Sequence, residues 1–107
     1  MAVSEVTIEE LESALQSGAT LVDVRESDEY VAGHVPGAVL VPLASVPTSL
    51  ARFSADSTNY VICKSGGRSA RAVEFLQGQG IDAVNVAGGT LAWLETGRVH
   101  VTGLDPA

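Results

Sequence analysis

The sequence predicts an α/β fold, with a parallel sheet covered by helices on both faces. Two observations carry this. Short continuous apolar runs such as LVDV (Leu21 to Val24) and YVIC (Tyr60 to Cys63) read as strands buried on both sides. Amphipathic helical segments separate them, and that alternation is the signature of parallel strands joined by crossovers. The 107 residues suit a single domain, residues 1–107, with a real core and no need of disulfides.

Thr7-Ile8-Glu9-Glu10 has the capping-box form, a Thr N-cap with Glu three residues later. Ile8, Leu11 and Leu15 then recur at helical spacing, with Ala14 beside them, and Gly18 is placed to stop the helix. After the strand at Leu21 to Val24, Ser27 to Tyr30 starts a short helix. Gly33 to Ala38 (GHVPGA) is turn chemistry, because Pro36 presets φ and Gly37 permits a positive one. Val39 to Val41 is a second short strand. Leu43 to Phe53 is helical in part, with Pro47 as a break or a first-turn residue. Tyr60 to Cys63 follows as a strand, then a helix over Arg68 to Gln79 with Ala72, Val73, Phe75 and Leu76 facing inward. Ala83 to Val86 is a further strand. Gly88 and Gly89 come next, and Thr90 is expected to cap a short helix carrying Leu91, Trp93 and Leu94. Thr102 to Ala107 is expected to be loose.

The formal net charge is -7, which argues against nucleic acid and anionic membranes as partners, since both need a basic footprint. No apolar run approaches a membrane span, and MAVSEVTIEELE lacks a signal peptide's basic and apolar regions. A single cysteine forms no internal disulfide. A cytoplasmic protein is expected. Two histidines and one cysteine without metal-like spacing argue against a metal, and no cofactor is expected.

The positive charge is unevenly spread. Lys64, Arg68 and Arg71, half of the 6 basic residues, lie close after Cys63. In parallel sheets, ligands bind outside the carboxyl ends of the strands, and Cys63 sits at such an end. Its turn feeds a helix start, where unpaired backbone N–H groups and the dipole favour an anion. Gly66 and Gly67 let the backbone curl closely. The dipole acts like about half a positive charge. At roughly 4 Å and an effective dielectric near 20 its pull on a thiolate is on the order of 2 kcal/mol. That lowers an ordinary cysteine enough to leave about half as thiolate at neutral pH. Lys64 and Arg68 push the same way, and burial pushes the other. His34 in its turn reads as a structural hydrogen-bonding residue, and His100 as a surface one. Asp23 and Arg25 flank a strand end, with structural pairing the expected role for both.

These residues resemble the rhodanese family of single-domain sulfurtransferases. LVDVRESDEYVAGHVPGAVLVP (Leu21 to Pro42), CKSGGRS (Cys63 to Ser69) and NVAGGTLAW (Asn85 to Trp93) match in the family's order, across nearly the whole chain. The resemblance implies a central parallel sheet of about five strands. It implies that Cys63 attacks the outer sulfur of an anionic donor such as thiosulfate and carries a persulfide. A thiophilic acceptor, cyanide or a thiol, then removes the sulfur. Lys64, Ser65, Gly66, Gly67, Arg68 and Ser69 would cradle and attract the anion, with Asp23, Arg25 and His34 in support. A sulfur-relay or docking module serving a protein acceptor is the alternative. A cysteine phosphatase or arsenate reductase is disfavoured, because the related phosphatases have five residues between cysteine and arginine. Here four separate Cys63 from Arg68, and a shorter loop suits one added sulfur.

Overall fold

The computed structural model describes residues 4–107. Five parallel strands form one sheet: β1 (Glu5–Val6), β2 (Thr20–Asp23), β3 (Val39–Leu40), β4 (Asn59–Ile62) and β5 (Ala83–Val86). Their order is β1-β5-β4-β2-β3, so β4, which leads into Cys63, is central. The helices are α1 (Ile8–Gln16), α2 (Ser27–Ala32), α3 (Gly67–Gly78) and α4 (Gly89–Glu95). Two 3-10 segments, Leu43–Thr48 and Leu50–Arg52, fill the crossover from β3 to β4. None of the described helices is long and apolar enough to cross a membrane.

Neighbouring strand residues point to opposite faces, which explains why the strands lack polar alternation. Val22 and Val61 pack on one face with Val46, Phe53, and Ala72, Val73 and Leu76 of α3. Leu21 and Ile62 pack on the other with Ile8 and Leu11 of α1, Tyr30 of α2 and Trp93 of α4. Burying each Leu, Ile or Val side chain stabilises the fold by about 1.5–3 kcal/mol. The sheet is therefore covered on both faces, as the alternation of strands and helices requires.

The capping box at Thr7 is present. The Glu10 amide donates to Thr7 Oγ1 at 3.1 Å, and the Thr7 amide donates to Glu10 Oε1 at 2.9 Å. Pro47 sits inside the first 3-10 segment. Three local expectations are corrected, and one strand is added. Phe75 is one of the large apolar residues left exposed, because the buried stripe of α3 runs through Ala72, Val73 and Leu76. Thr90 does not cap α4. Gly88 occupies that position, and Thr90 lies inside the helix. The two-residue strand β1 is an addition to the sequence reading. The C-terminal residues are tied down rather than loose. The Gly103 amide donates to the Val31 carbonyl at 2.9 Å, and the Gly37 amide donates to the Pro106 carbonyl at 2.8 Å.

Candidate active site

Cys63 leaves the carboxyl end of β4 fully buried. The next residues turn back over its sulfur. Gly66 has φ 114°, a conformation that side-chain-bearing residues rarely adopt. This turn brings the Gly66 amide to 3.1 Å from Cys63 Sγ. Gly67 then begins α3 with ordinary backbone angles and open space where a Cβ would stand. Of the two loop glycines, only Gly66 is demanded by geometry. Ser69, one turn into α3 and fully buried, places its hydroxyl 3.2 Å from Cys63 Sγ.

Burial pushes the Cys63 thiol up. The Ser69 hydroxyl and the backbone N–H groups of Ser69, Gly66 and Ser65 outweigh it, so the thiol is held below its ordinary value. Burial and the helix start oppose each other here, a balance the sequence leaves open, and discrete donors at the loop decide it in favour of the anion.

A second glycine pair fixes the loop from outside. Gly88 and Gly89 both have positive φ, 78° and 61°. A Cβ on Gly89 would lie 2.6 Å from Cys63 O and from Lys64 C and O. That close approach lets α4 begin against the loop. The Thr90 amide donates to the Cys63 carbonyl at 2.8 Å, and the Leu91 amide donates to the Lys64 carbonyl at 3.0 Å. Orphan donors of one helix start thereby satisfy carbonyls beside the thiol. The role of these glycines was not readable from NVAGGTLAW, because the partner lies a whole helix and strand away.

The cations divide. Arg68 reaches α2, where Nη1 and Nη2 donate to the two oxygens of Glu29 at 2.7 and 2.9 Å. The guanidinium holds the Glu29 carboxyl down to about 2, and the carboxylate raises Arg68 further. Lys64 is exposed and makes no ion pair among the described residues. Asp23 and Arg25 pair with each other. Arg25 Nη2 donates to Asp23 Oδ2 at 2.8 Å and to the Gly33 carbonyl at 2.8 Å, both side chains being buried. His34 is fully buried, stacked on Tyr30 at 3.7 Å between ring centroids. Its ring nitrogens lie 2.8 Å from the Tyr30 carbonyl and 2.9 Å from the Asp105 carbonyl. Asp23, Arg25 and His34 thus brace the turn after α2 and the C-terminal residues. His100 is exposed.

Beside the loop lies a pocket of about 220 Å³, lined by Lys64, Arg25, Glu29, Thr90, Leu91, Leu94 and Ala32. It offers one unpaired cation over an apolar floor. Among the described residues no cluster of His, Cys, Asp and Glu side chains is arranged to hold a metal.

A parallel sheet that presents one buried cysteine in a six-residue N–H-lined turn defines a recognisable class. Residues 7–96 match the rhodanese-like domain. The Bacillus subtilis (strain 168) protein YtwF, provisionally called a sulfurtransferase, is 33% identical over 95 residues, covering 87% of this chain and 92% of that one. The thiosulfate sulfurtransferase GlpE of Pseudomonas putida (strain GB-1) is 36% identical over 87 residues, covering 80% and 79%. The crystal structure of a rhodanese-related protein from Thermoplasma volcanium superposes with a TM-score of 0.86 at 31% identity, covering 95% of this chain and 99% of that one. The chain belongs to the rhodanese-like domain family, and the two relatives from Bacillus and Pseudomonas carry sulfurtransferase names.

Proposed function

We propose that this protein moves a sulfane sulfur from an anionic donor, thiosulfate by default, to a thiophilic acceptor through a persulfide on Cys63, with residues 1–107 acting as one unit. The observation that carries this reading is the ring of donors around Cys63 Sγ: the Gly66 amide at 3.1 Å and the Ser69 hydroxyl at 3.2 Å. Such donors stabilise negative charge on sulfur, and a thiolate is the nucleophilic form.

The Cys63 thiolate attacks the outer sulfur of thiosulfate. A Cys63 S–S bond forms, the donor's S–S bond breaks, and sulfite leaves with the electron pair. The persulfide's negative terminal sulfur then lies among the N–H groups of Lys64 to Ser69. Cyanide or a thiolate attacks that sulfur, and Cys63 leaves as thiolate. Lys64, exposed and unpaired, draws in the donor. Arg68 shares its charge with Glu29, so its pull on sulfite depends on that pair opening. Cys63 exposes no surface, so the donor reaches the sulfur only through a local opening around the loop.

The same pairing argues against phosphoester chemistry, because the guanidinium faces Glu29 rather than the loop. The test is incubation with thiosulfate, followed by mass measurement and a thiocyanate assay with cyanide. One added sulfur on the wild type and none on Cys63→Ser is expected. No adduct and no thiocyanate would overturn the proposal. An adduct that transfers only to a protein acceptor would identify a relay module instead.

A further inference from the structure

Asn85 is a fully buried amide in the middle of β5, a strand otherwise made of Ala and Val. Its surroundings are polar in one direction only. Ser69 Oγ lies 2.5 Å from Asn85 Oδ1, and Asn85 Nδ2 donates to Glu5 Oε2 at 2.9 Å and to the Gly66 carbonyl at 3.2 Å. A hydrogen-bonded chain therefore runs from Glu5 on the edge strand β1, through Asn85 and Ser69, to Cys63 Sγ.

The Ser69 hydroxyl has one hydrogen. Within reach it has three acceptors: Asn85 Oδ1, Cys63 Sγ at 3.2 Å and the Gly66 carbonyl at 3.3 Å. When Cys63 is a thiol, S–H donates to Ser69 Oγ, Ser69 O–H donates to Asn85, and the chain is satisfied. When Cys63 is a thiolate or persulfide, the sulfur needs the Ser69 hydrogen. The hydroxyl then turns from Asn85, whose buried oxygen loses its partner. Turning the amide over would present N–H to Ser69 and remove this conflict. It would also aim Oδ1 at Glu5 Oε2 and the Gly66 carbonyl, two acceptors. Glu5 thus fixes which end of Asn85 faces Ser69.

We propose that Asn85, oriented by Glu5, is a positioning residue that competes with Cys63 for the Ser69 hydrogen and so sets how readily the sulfur becomes anionic. The proposal rests on Cys63 being the nucleophile of the reaction above. Without Asn85 the hydroxyl is free to serve the sulfur at all times. The other charged groups around the loop are Lys64, Arg68 with its partner Glu29 on α2, and the Asp23–Arg25 pair at the end of β2. None of these hydrogen-bonds to the Ser69 hydroxyl.

Cys63 is the chain's single cysteine, so its ionisation can be read directly from the pH profile of iodoacetamide alkylation. Asn85→Ala should shift the profile to lower pH, giving about threefold faster alkylation below the midpoint, where rate tracks thiolate fraction. Ser69→Ala should shift it to higher pH, and Ser69→Thr, which keeps the hydroxyl, should restore it. The double variant Asn85→Ala/Ser69→Ala should match Ser69→Ala alone. An Asn85→Ala profile that is unchanged or moved upward, or an equal shift in both backgrounds, would overturn the proposal. Glu5→Ala, an exposed change, provides a second cycle should Asn85→Ala not fold. Its downward shift should be larger with Ser69 present than in Ser69→Ala, and equal shifts refute the role of the chain. Alkylation reports ionisation whether or not sulfur is transferred. A protein that transfers no sulfur but passes the cycle loses only its assigned reaction, and one that transfers sulfur but fails the cycle loses only this role for Asn85.

Discussion

Arg68 of α3 grips both carboxylate oxygens of Glu29 on α2, at 2.7 and 2.9 Å. The loop's arginine is therefore already paired before any donor arrives. Arg68→Ala removes a cation and leaves a bare carboxylate near the sulfur. We expect thiosulfate turnover (kcat/KM) to fall about tenfold, of which Glu29→Ala in the same chain recovers a part. No recovery in the double variant would show that the unpaired carboxylate is not responsible.

The same pair makes a pH prediction. Glu29 sits at about 2 instead of 4.5. A carboxyl depressed in the folded state contributes stability above its unfolded value, and that stability is lost as pH falls through the folded one. The loss should fall between pH 4.5 and about 2. Both partners are roughly a third exposed, so its size is at most about 1 kcal/mol. Urea unfolding of wild type and Glu29→Gln across that window should show the gap between them closing toward the acid end.

Two glycines close in space to Cys63 should respond in opposite ways. Gly89→Ala forces a methyl to 2.6 Å from backbone atoms of Cys63 and Lys64, at φ 61°. A cost of about 2–4 kcal/mol is expected from positive φ and overpacking together, with loss of sulfur loading. Gly67→Ala meets nothing within 4 Å and should be neutral or stabilise by up to about 1 kcal/mol. Thermal midpoints of the two variants check the contrast.

Lys64 should act through long-range attraction. Lys64→Ala should raise the thiosulfate KM several-fold at low ionic strength, with the difference shrinking as added salt brings the Debye length to about 3 Å near 1 M. A salt-independent effect would mean that Lys64 contacts the donor directly.

What the sequence revealed about this site was local. Cys63, its turn and the start of α3 lie within a few residues of one another, so spacing and residue type sufficed. The sheet was legible for a similar reason, since Leu21–Val22 and Val61–Ile62 are apolar on both sides. Glu29, Asn85 and Gly89 act on the loop from α2, β5 and the start of α4, and no short-range pattern joins them to it. Phe75 was assigned inward because an apolar residue at helical spacing is normally buried; the width of the stripe on α3, set by what packs against it, decides otherwise. Thr90 was expected as a cap, but the need for backbone contact at Gly89 moved the helix start forward. β1 is only two residues long, too short for any periodicity to mark it.

The amides of Thr90 and Leu91 hold the carbonyls of Cys63 and Lys64, and this has a consequence for biosynthesis. The thiol is made first, and the backbone that seats it arrives a whole helix and strand later. Until α4 has emerged from the ribosome and docked, the cysteine is an ordinary thiol on an unfinished chain, open to oxidants and alkylators. In the finished fold this sulfur is buried and meets alkylators only through brief openings around the loop, so a slowed alkylation rate is a built-in reporter of the docking of α4.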